Sequence, residues 1–236
     1  VVEERQTKGD EVEVLLAERY GKIQADLSSG ADLVAASSLA ADEGIAIKGF
    51  ELGSQGFLVD KDEGDKWLAA EPTLGAILRP YMNGADLVKG KWTRYVIDFY
   101  GLTEGEARRY GIAYQHLYDR VMPERQINRE ARTSKQWWLF RRSGEQLRGA
   151  LVGLSRFIGT TRTAKHRVFQ FMPSNVIAES KIVVIASSDA YLLGVLSSYI
   201  HVAWALATGA FLEDRPNYNH SDCFGKFPFP DPTPTQ

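Results

Sequence analysis

Apolar positions along this chain recur in two rhythms, one of three to four residues and one of two. Val12, Leu15, Leu16, Tyr20 and Ile23 predict a helix over residues 9–27 with one apolar face, ending near Ser28-Ser29-Gly30. A second helical tract is expected over 31–41. Ile45, Ile47 and Phe50, then Phe57 and Val59, alternate about Gly53-Ser54-Gln55-Gly56, the pattern of a β-hairpin. Asp60 heads a helix that carries Trp67 and Leu68 to Ala70, and Pro80 to Gly84 reads as a turn. Tyr95, Ile97 and Phe99 mark a strand, and Thr103 with Glu106 has capping-box spacing at the head of a helix running toward Met122.

Leu147, Ala150, Leu151, Leu154 and Phe157 share one face of a helix predicted over 144–157. A polar turn at Gly159 follows, then a strand ending at Phe171, a neighbouring strand from Lys181 to Ala186 and a helix from Tyr191 to Leu206. The chain turns irregular through Asn217-Tyr218-Asn219-His220 and closes on Phe227-Pro228-Phe229-Pro230. The expected architecture is α+β, a single domain over 31–230 with twisted, mostly antiparallel sheets flanked by helices. Residues 1–30 are read as a helical connector and the Pro-rich 231–236 as a disordered tail.

Composition adds the compartment. With 236 residues and 44% hydrophobic content the chain can bury a core, and no run of eighteen apolar residues suggests a membrane span. The polar, acidic N-terminus lacks a signal pattern, and a single cysteine, Cys223, excludes an intrachain disulfide framework. A cytoplasmic protein is expected. The absence of an initiator Met suggests a piece of a longer chain.

Charge is unevenly spread. From Arg120 to Gln170 stand twelve Lys and Arg against three acids, a formal +9, whereas the whole chain sums to −2 and the remainder to −11. A local polyanion partner is the natural reading of that asymmetry. Its densest part, Leu154 to Phe171, gathers Arg156, Arg162, Lys165, His166 and Arg167 with Thr160, Thr161 and Thr163, a set of phosphate and base-edge donors that could equally form a solvated connection.

Other candidate chemistry is weaker. Gly49, Gly53 and Gly56 are not closed by Gly-Lys-Ser/Thr, so they do not make a nucleotide loop. Glu179-Ser180-Lys181 supplies half of a metal-nuclease triad without the upstream Pro-Asp. Ser198 with His201, and Cys223 with His220, are nucleophile and base only by nearness in sequence. Asp98, the one acid in an apolar run, reads as a hydrogen-bonded structural group. Trp137 and Trp138 beside Arg141 and Arg142 can stack on bases or seal a core under the cations.

Several blocks in order resemble the target recognition domain of MmeI-like type II restriction-modification enzymes. They are Gly49 with Gly53 to Phe57, Arg79-Pro80-Tyr81-Met82-Asn83-Gly84-Ala85-Asp86-Leu87, Tyr95 to Phe99, Val121 to Arg125, and Trp137-Trp138. Thr163 to His166, Gly194 to Ser198 with His201 and Trp204, Tyr218 to Phe224, and Phe227 to Pro230 continue the series. The resemblance implies a double-stranded DNA reader that positions the duplex for adenine methylation by a separate domain of the same parent chain. Residues 1–30 would lead from that domain, where S-adenosylmethionine would bind; this chain itself would hold no cofactor. Neither the Asn/Asp-Pro-Pro-aromatic tetrapeptide of an amino-methyltransferase nor its Gly-rich strand-turn-helix is present.

On that reading Arg120, Arg125, Arg129, Arg141, Arg142, Arg148, Arg156 and His166 are expected at phosphates. Thr161, Arg162, Thr163, Lys165, Arg167, Gln170 and Asn175 are the candidates for base edges, with no catalytic or metal-binding residue expected. The rival is a protein-docking module in which the tryptophans and Phe-Pro-Phe-Pro form an apolar patch rimmed by arginines.

Overall fold

The computed structural model describes residues 2–6, 12–16, 36–127, 134–212 and 215–231. The chain divides into two compact units, Val1–Ser37 and Ser38–Gln236.

In the first unit β1 (Val2–Gln6) pairs antiparallel with β2 (Val12–Leu16), Val2 opposite Leu16 and Gln6 opposite Val12. The helix expected over 9–27 is therefore wrong at Val12–Leu16. Its Val-Glu-Val opening has the period of a strand, and a partner strand upstream outweighs a helical spacing that only five apolar residues supported. The rest of 17–35 lies outside the described residues. Of the tract 31–41, residues 36–39 are not helical, and only a 3-10 turn, Ala40–Asp42, forms.

The second unit is α+β and holds two four-stranded sheets. One has the order β3 (Ala46–Lys48), β10 (Ile182–Ile185), β7 (Arg156–Thr161), β8 (Gln170–Pro173), antiparallel throughout. The other runs β4 (Leu58–Asp60), β6 (Arg94–Ile97), β5 (Leu78–Met82), β9 (Ile177–Ala178), with only β5 and β9 parallel. The expected hairpin about Gly53 does not form, because β3 and β4 belong to different sheets. Ser54 accepts from the Gly56 amide and opens a 3-10 turn, Gln55–Phe57, that carries the chain from one sheet to the other.

β10 explains the two cores. All four of its residues are buried, with Ile182 and Val184 in the larger cluster and Val183 and Ile185 in a second with Ile158, Phe169, Leu196 and Tyr218. A strand covered on both faces reads as a continuous apolar run, while alternate residues still point to opposite sides. The sheets meet at Gly49, whose amide donates to Ile182 and which lies beside the Ala178 and Glu179 carbonyls; a Cβ there would stand 2.3 Å from the Glu179 oxygen.

α1 (Lys61–Ala70) starts where expected, although Asp60 makes no side-chain cap bond. Pro80 is inside β5 rather than in a turn; β9 pairs only with Tyr81 and Met82, which leaves room for a residue without an amide hydrogen. Asn83 and Asp86 then form a capping box for α2 (Gly84–Lys89). Thr103 and Glu106 form theirs, but α3 (Glu104–Ala107) stops and α4 (Gly111–Arg120) restarts, followed by α5 (Met122–Gln126).

Beyond residue 133, α6 (Glu145–Leu151) is shorter than its apolar face suggested. Gly153, at φ +80°, turns the chain, and Phe157 becomes a strand residue. Gly159 is thus in the middle of β7, where Met172 packs on its bare Cα, and the cationic stretch falls in the β7–β8 loop, 162–169. The helix from Tyr191 is two helices, α7 (Ala190–Ser197) and α8 (Tyr199–Thr208), bent by 61°. A short hairpin, β11 (Ala210–Leu212) with β12 (Arg215–Asn217), precedes a π-helical turn, His220–Phe224. No single helix among the described residues is long and apolar enough to cross a membrane.

Candidate nucleic-acid interface

The β7–β8 loop is tied at several points. The Arg162 amide donates to Lys181 at 2.8 Å, the Tyr218 amide donates to the Arg162 carbonyl at 2.6 Å, and the Ala164 amide reaches Pro216 at 3.3 Å. Thr163 bridges Asn217 on β12. Lys165 and His166 are exposed at its outer turn, and Arg162 and Thr163 are half-exposed. The Arg162 side chain has no hydrogen bond or ion pair among the described residues, and its charge, together with burial, holds His220 below its ordinary pKa, burial being the larger cause. Lys181 directly precedes Ile182, the partner of Thr161, and Arg215 on β12 directly precedes Pro216, whose carbonyl accepts from the Ala164 amide of the loop.

Arg167 turns inward, which corrects its assignment to base edges. Its Nη1 donates to Thr160 Oγ1 at 3.2 Å and to the Thr161 carbonyl, and Nη2 donates to Arg162 and Pro216 carbonyls at 3.4 and 3.3 Å. The guanidinium lies 5.0 Å from the centre of the Tyr218 ring. Burial lowers its pKa, yet a guanidinium so lowered stays charged. Tyr218 Oη is 2.9 Å from His201 Nε2, and His201, fully buried and facing Arg167, is pushed down to about 4 and is neutral near pH 7.

The remaining candidates divide. Gln170 donates to the Leu87 carbonyl and Thr161 is 8% exposed, so neither is presented to a ligand. Asn175 is exposed but follows β8, at the opposite end of that strand from the loop, and Arg156 pairs there with Pro173. The structure therefore does not bring Asn175 or Arg156 to Arg162; Arg156 donates to the Ser188 carbonyl and stacks 3.7 Å over Phe171.

Two phosphate candidates are corrected outright. Arg125 is 1% exposed, donates to the Leu52 carbonyl at 2.7 Å and lies over Phe57. Arg148 grips Asp98 with both Nη atoms and packs 4.1 Å from the Tyr100 ring centre, so the structural reading of Asp98 holds and its partner is consumed. Sequence counting overestimated the cations presented to a ligand, because folding commits some of them to partners distant in the chain. Arg120, Arg141 and Arg142 are exposed, the last two beside Glu51 at 3.1 and 3.6 Å. Arg129 lies outside the described residues.

Both tryptophans are core residues at 8% exposure; Trp138 Nε1 donates to Leu102, and Trp137 packs edge-on to Tyr114 and Tyr118. Ser198 accepts from the His201 amide as an N-cap while the imidazole faces Tyr218, so the two do not form a nucleophile and base. Cys223 is buried, raised by desolvation, and directs Sγ to the Ala205 carbonyl.

Sequence reasoning missed Lys181, Arg215 and His220 beside the loop. Lys181 opens a strand it had located, but only the β7–β10 pairing puts it there.

Comparisons with known proteins bear on the fold and the family. The solved structure of the Type IIL restriction-modification enzyme MmeI in complex with DNA has the same fold, with a TM-score of 0.76 at 19% identity. The likeness covers 95% of this chain and 30% of that one. No curated protein gives a significant match. A sequence profile of the family described as "MmeI, target recognition domain" matches residues 40–231. The chain belongs to the family of MmeI target recognition domains.

Proposed function

We propose that this chain reads the sequence of double-stranded DNA for a cytoplasmic restriction-modification protein and positions the duplex for adenine methylation by another domain. That other domain would hold S-adenosylmethionine. The observation that carries the reading is the β7–β8 loop, in which a fixed backbone presents Arg162, Thr163, Lys165 and His166 beside Lys181 and Arg215. A forked guanidinium matches the O6 and N7 acceptors of guanine, and the hydroxyl and ammonium groups can take smaller base-edge or phosphate contacts. Exposed Arg120, Arg141 and Arg142 are assigned to phosphates, which fix register without sequence information.

A second reading has its own support. Tyr199 and Ile200 on α8 are 86% and 72% exposed, an apolar surface suited to docking another protein. Salt separates the two, since phosphate contacts lose affinity with a log-log slope of about −0.9 per phosphate neutralised and an apolar patch is far less sensitive. The test is retention of a randomised duplex pool by the chain at low and moderate salt, followed by sequencing. One enriched short motif supports base reading. Salt-sensitive retention with no motif reduces the role to gripping the backbone, and no retention at either salt moves the assignment to docking.

A further inference from the structure

We infer that Arg167, which is itself withdrawn from any ligand, is the positioning residue that gives the β7–β8 loop its base preference by fixing how Arg162 is presented. The inference rests on the base-reading role proposed above. Discrimination between base pairs requires donors held to within about half an ångström, and a loop without regular secondary structure does not supply that by itself. Here the Arg162 backbone is held on both sides. Its amide is bonded to Lys181, and its carbonyl accepts from the Tyr218 amide and from Arg167 Nη2. Its side chain alone is left without a hydrogen-bond or ion-pair partner among the described residues, a free fork on a fixed base.

Arg167 is what joins the pieces. One planar guanidinium reaches the last residues of β7, the first residue of the loop and the β12 strand, through Thr160 Oγ1 and the carbonyls of Thr161, Arg162 and Pro216. Thr160 passes the restraint on, since its hydroxyl donates to the Val168 carbonyl at 2.8 Å near the far end of the loop. Tyr218 closes the space behind the guanidinium and is itself held by neutral His201. An ammonium at this position has a single nitrogen and cannot span four acceptors lying in different directions, so Lys keeps the charge and loses the brace.

The experiment compares the wild-type chain with Arg167→Lys, Thr160→Val and Arg148→Lys. The last also breaks a forked arginine contact, that to Asp98, but away from the loop, and so controls for lost stability alone. Each chain is titrated with the motif duplex that the wild type enriches and with a scrambled duplex, alongside thermal unfolding. For Arg167→Lys, preference for the motif should fall at least about tenfold while low-salt affinity for scrambled duplex stays within about threefold. Arg148→Lys should lower the melting temperature and leave the preference intact.

Equal preference in Arg167→Lys and wild type, or equal losses in the two Lys variants, overturns the inference. If Arg167→Lys does not fold, Thr160→Val decides: a several-fold drop in preference upholds the brace, and none overturns it. Failure of the wild type to enrich any motif removes the base-reading role itself, and this inference with it. An enriched motif with an unaffected Arg167→Lys removes only the inference.

Discussion

Arg148 donates from both Nη atoms to Asp98, at 2.8 and 2.9 Å, and so ties α6 to the end of β6 across fifty residues of sequence. Asp98 is well shielded and Arg148 only partly exposed, its guanidinium covered by Phe50 and Tyr100. Removing one partner leaves the other charge poorly solvated. Arg148→Ala is expected to cost about 3 kcal/mol, read as a lower denaturation midpoint at unchanged slope. Salt dependence of DNA binding should not change, since the side chain is already committed. A reduced salt slope would return Arg148 to the phosphate set.

Arg162 and Arg142 differ in the same measurable way. Arg162→Ala should cost about 1 to 3 kcal/mol on the preferred duplex and relax preference at one base position. Arg142 is largely exposed beside Glu51, and Arg142→Ala should weaken all duplexes alike and reduce the salt slope by about one. Titration of a set of single-base duplex variants at two salt concentrations checks both. Uniform loss for Arg162→Ala removes it from the readout.

Acid should destabilise the second core through His201. Folded, this histidine titrates at about 4, against an ordinary 6.5, because burial and then the facing Arg167 disfavour its protonated form. Between those values the unfolded chain binds more protons, so stability falls as pH drops from 6.5 toward 4. The loss below that window is about 3 kcal/mol. His116 and His220, also lowered chiefly by burial, act in the same direction. His201→Gln, which can still bond Tyr218, should show a shallower acid slope in urea unfolding at several pH values. An unchanged slope would assign the acid sensitivity elsewhere.

Gly49 is placed where the two sheets meet, and its requirement is space, since its φ is not positive. A Cβ would stand 2.3 Å from the Glu179 carbonyl oxygen and 2.6 Å from that of Ala178, both backbone atoms that cannot move alone. Gly49→Ala is expected to cost about 1 to 3 kcal/mol, and Gly101→Ala, with no atom near its Cβ, to be limited to its backbone penalty at φ +82°. Thermal unfolding of the two variants measures the difference. A smaller loss for Gly49→Ala would mean that the sheets can separate slightly there.

Local signals reached the structure wherever a few adjacent residues decide the outcome. The Thr103–Glu106 capping box, the apolar run of β10 and the strand at Tyr95 are all of this kind, because caps and short apolar runs depend on neighbours in the chain. Helix ends were less legible. Phe157 continues the face of α6 by spacing but enters β7, since the left-handed turn at Gly153 and pairing with Met172 outweigh periodicity.

By itself the sequence determined that the chain is α+β, that its cations cluster between Arg120 and Gln170, and that its ordered blocks are those of one family of recognition domains. Tertiary structure alone decided which cations are available to a ligand. Arg125, Arg148 and Arg167 have the same formal charge as Arg162, but folding brings backbone carbonyls, Asp98 and Tyr218 to the first three and leaves the fourth side chain without a hydrogen bond or ion pair among the described residues. Charge is a property of the residue, whereas its solvation and pairing depend on partners that folding brings up, Leu52, Asp98 and Tyr218 among them from distant parts of the chain, which composition and spacing do not encode.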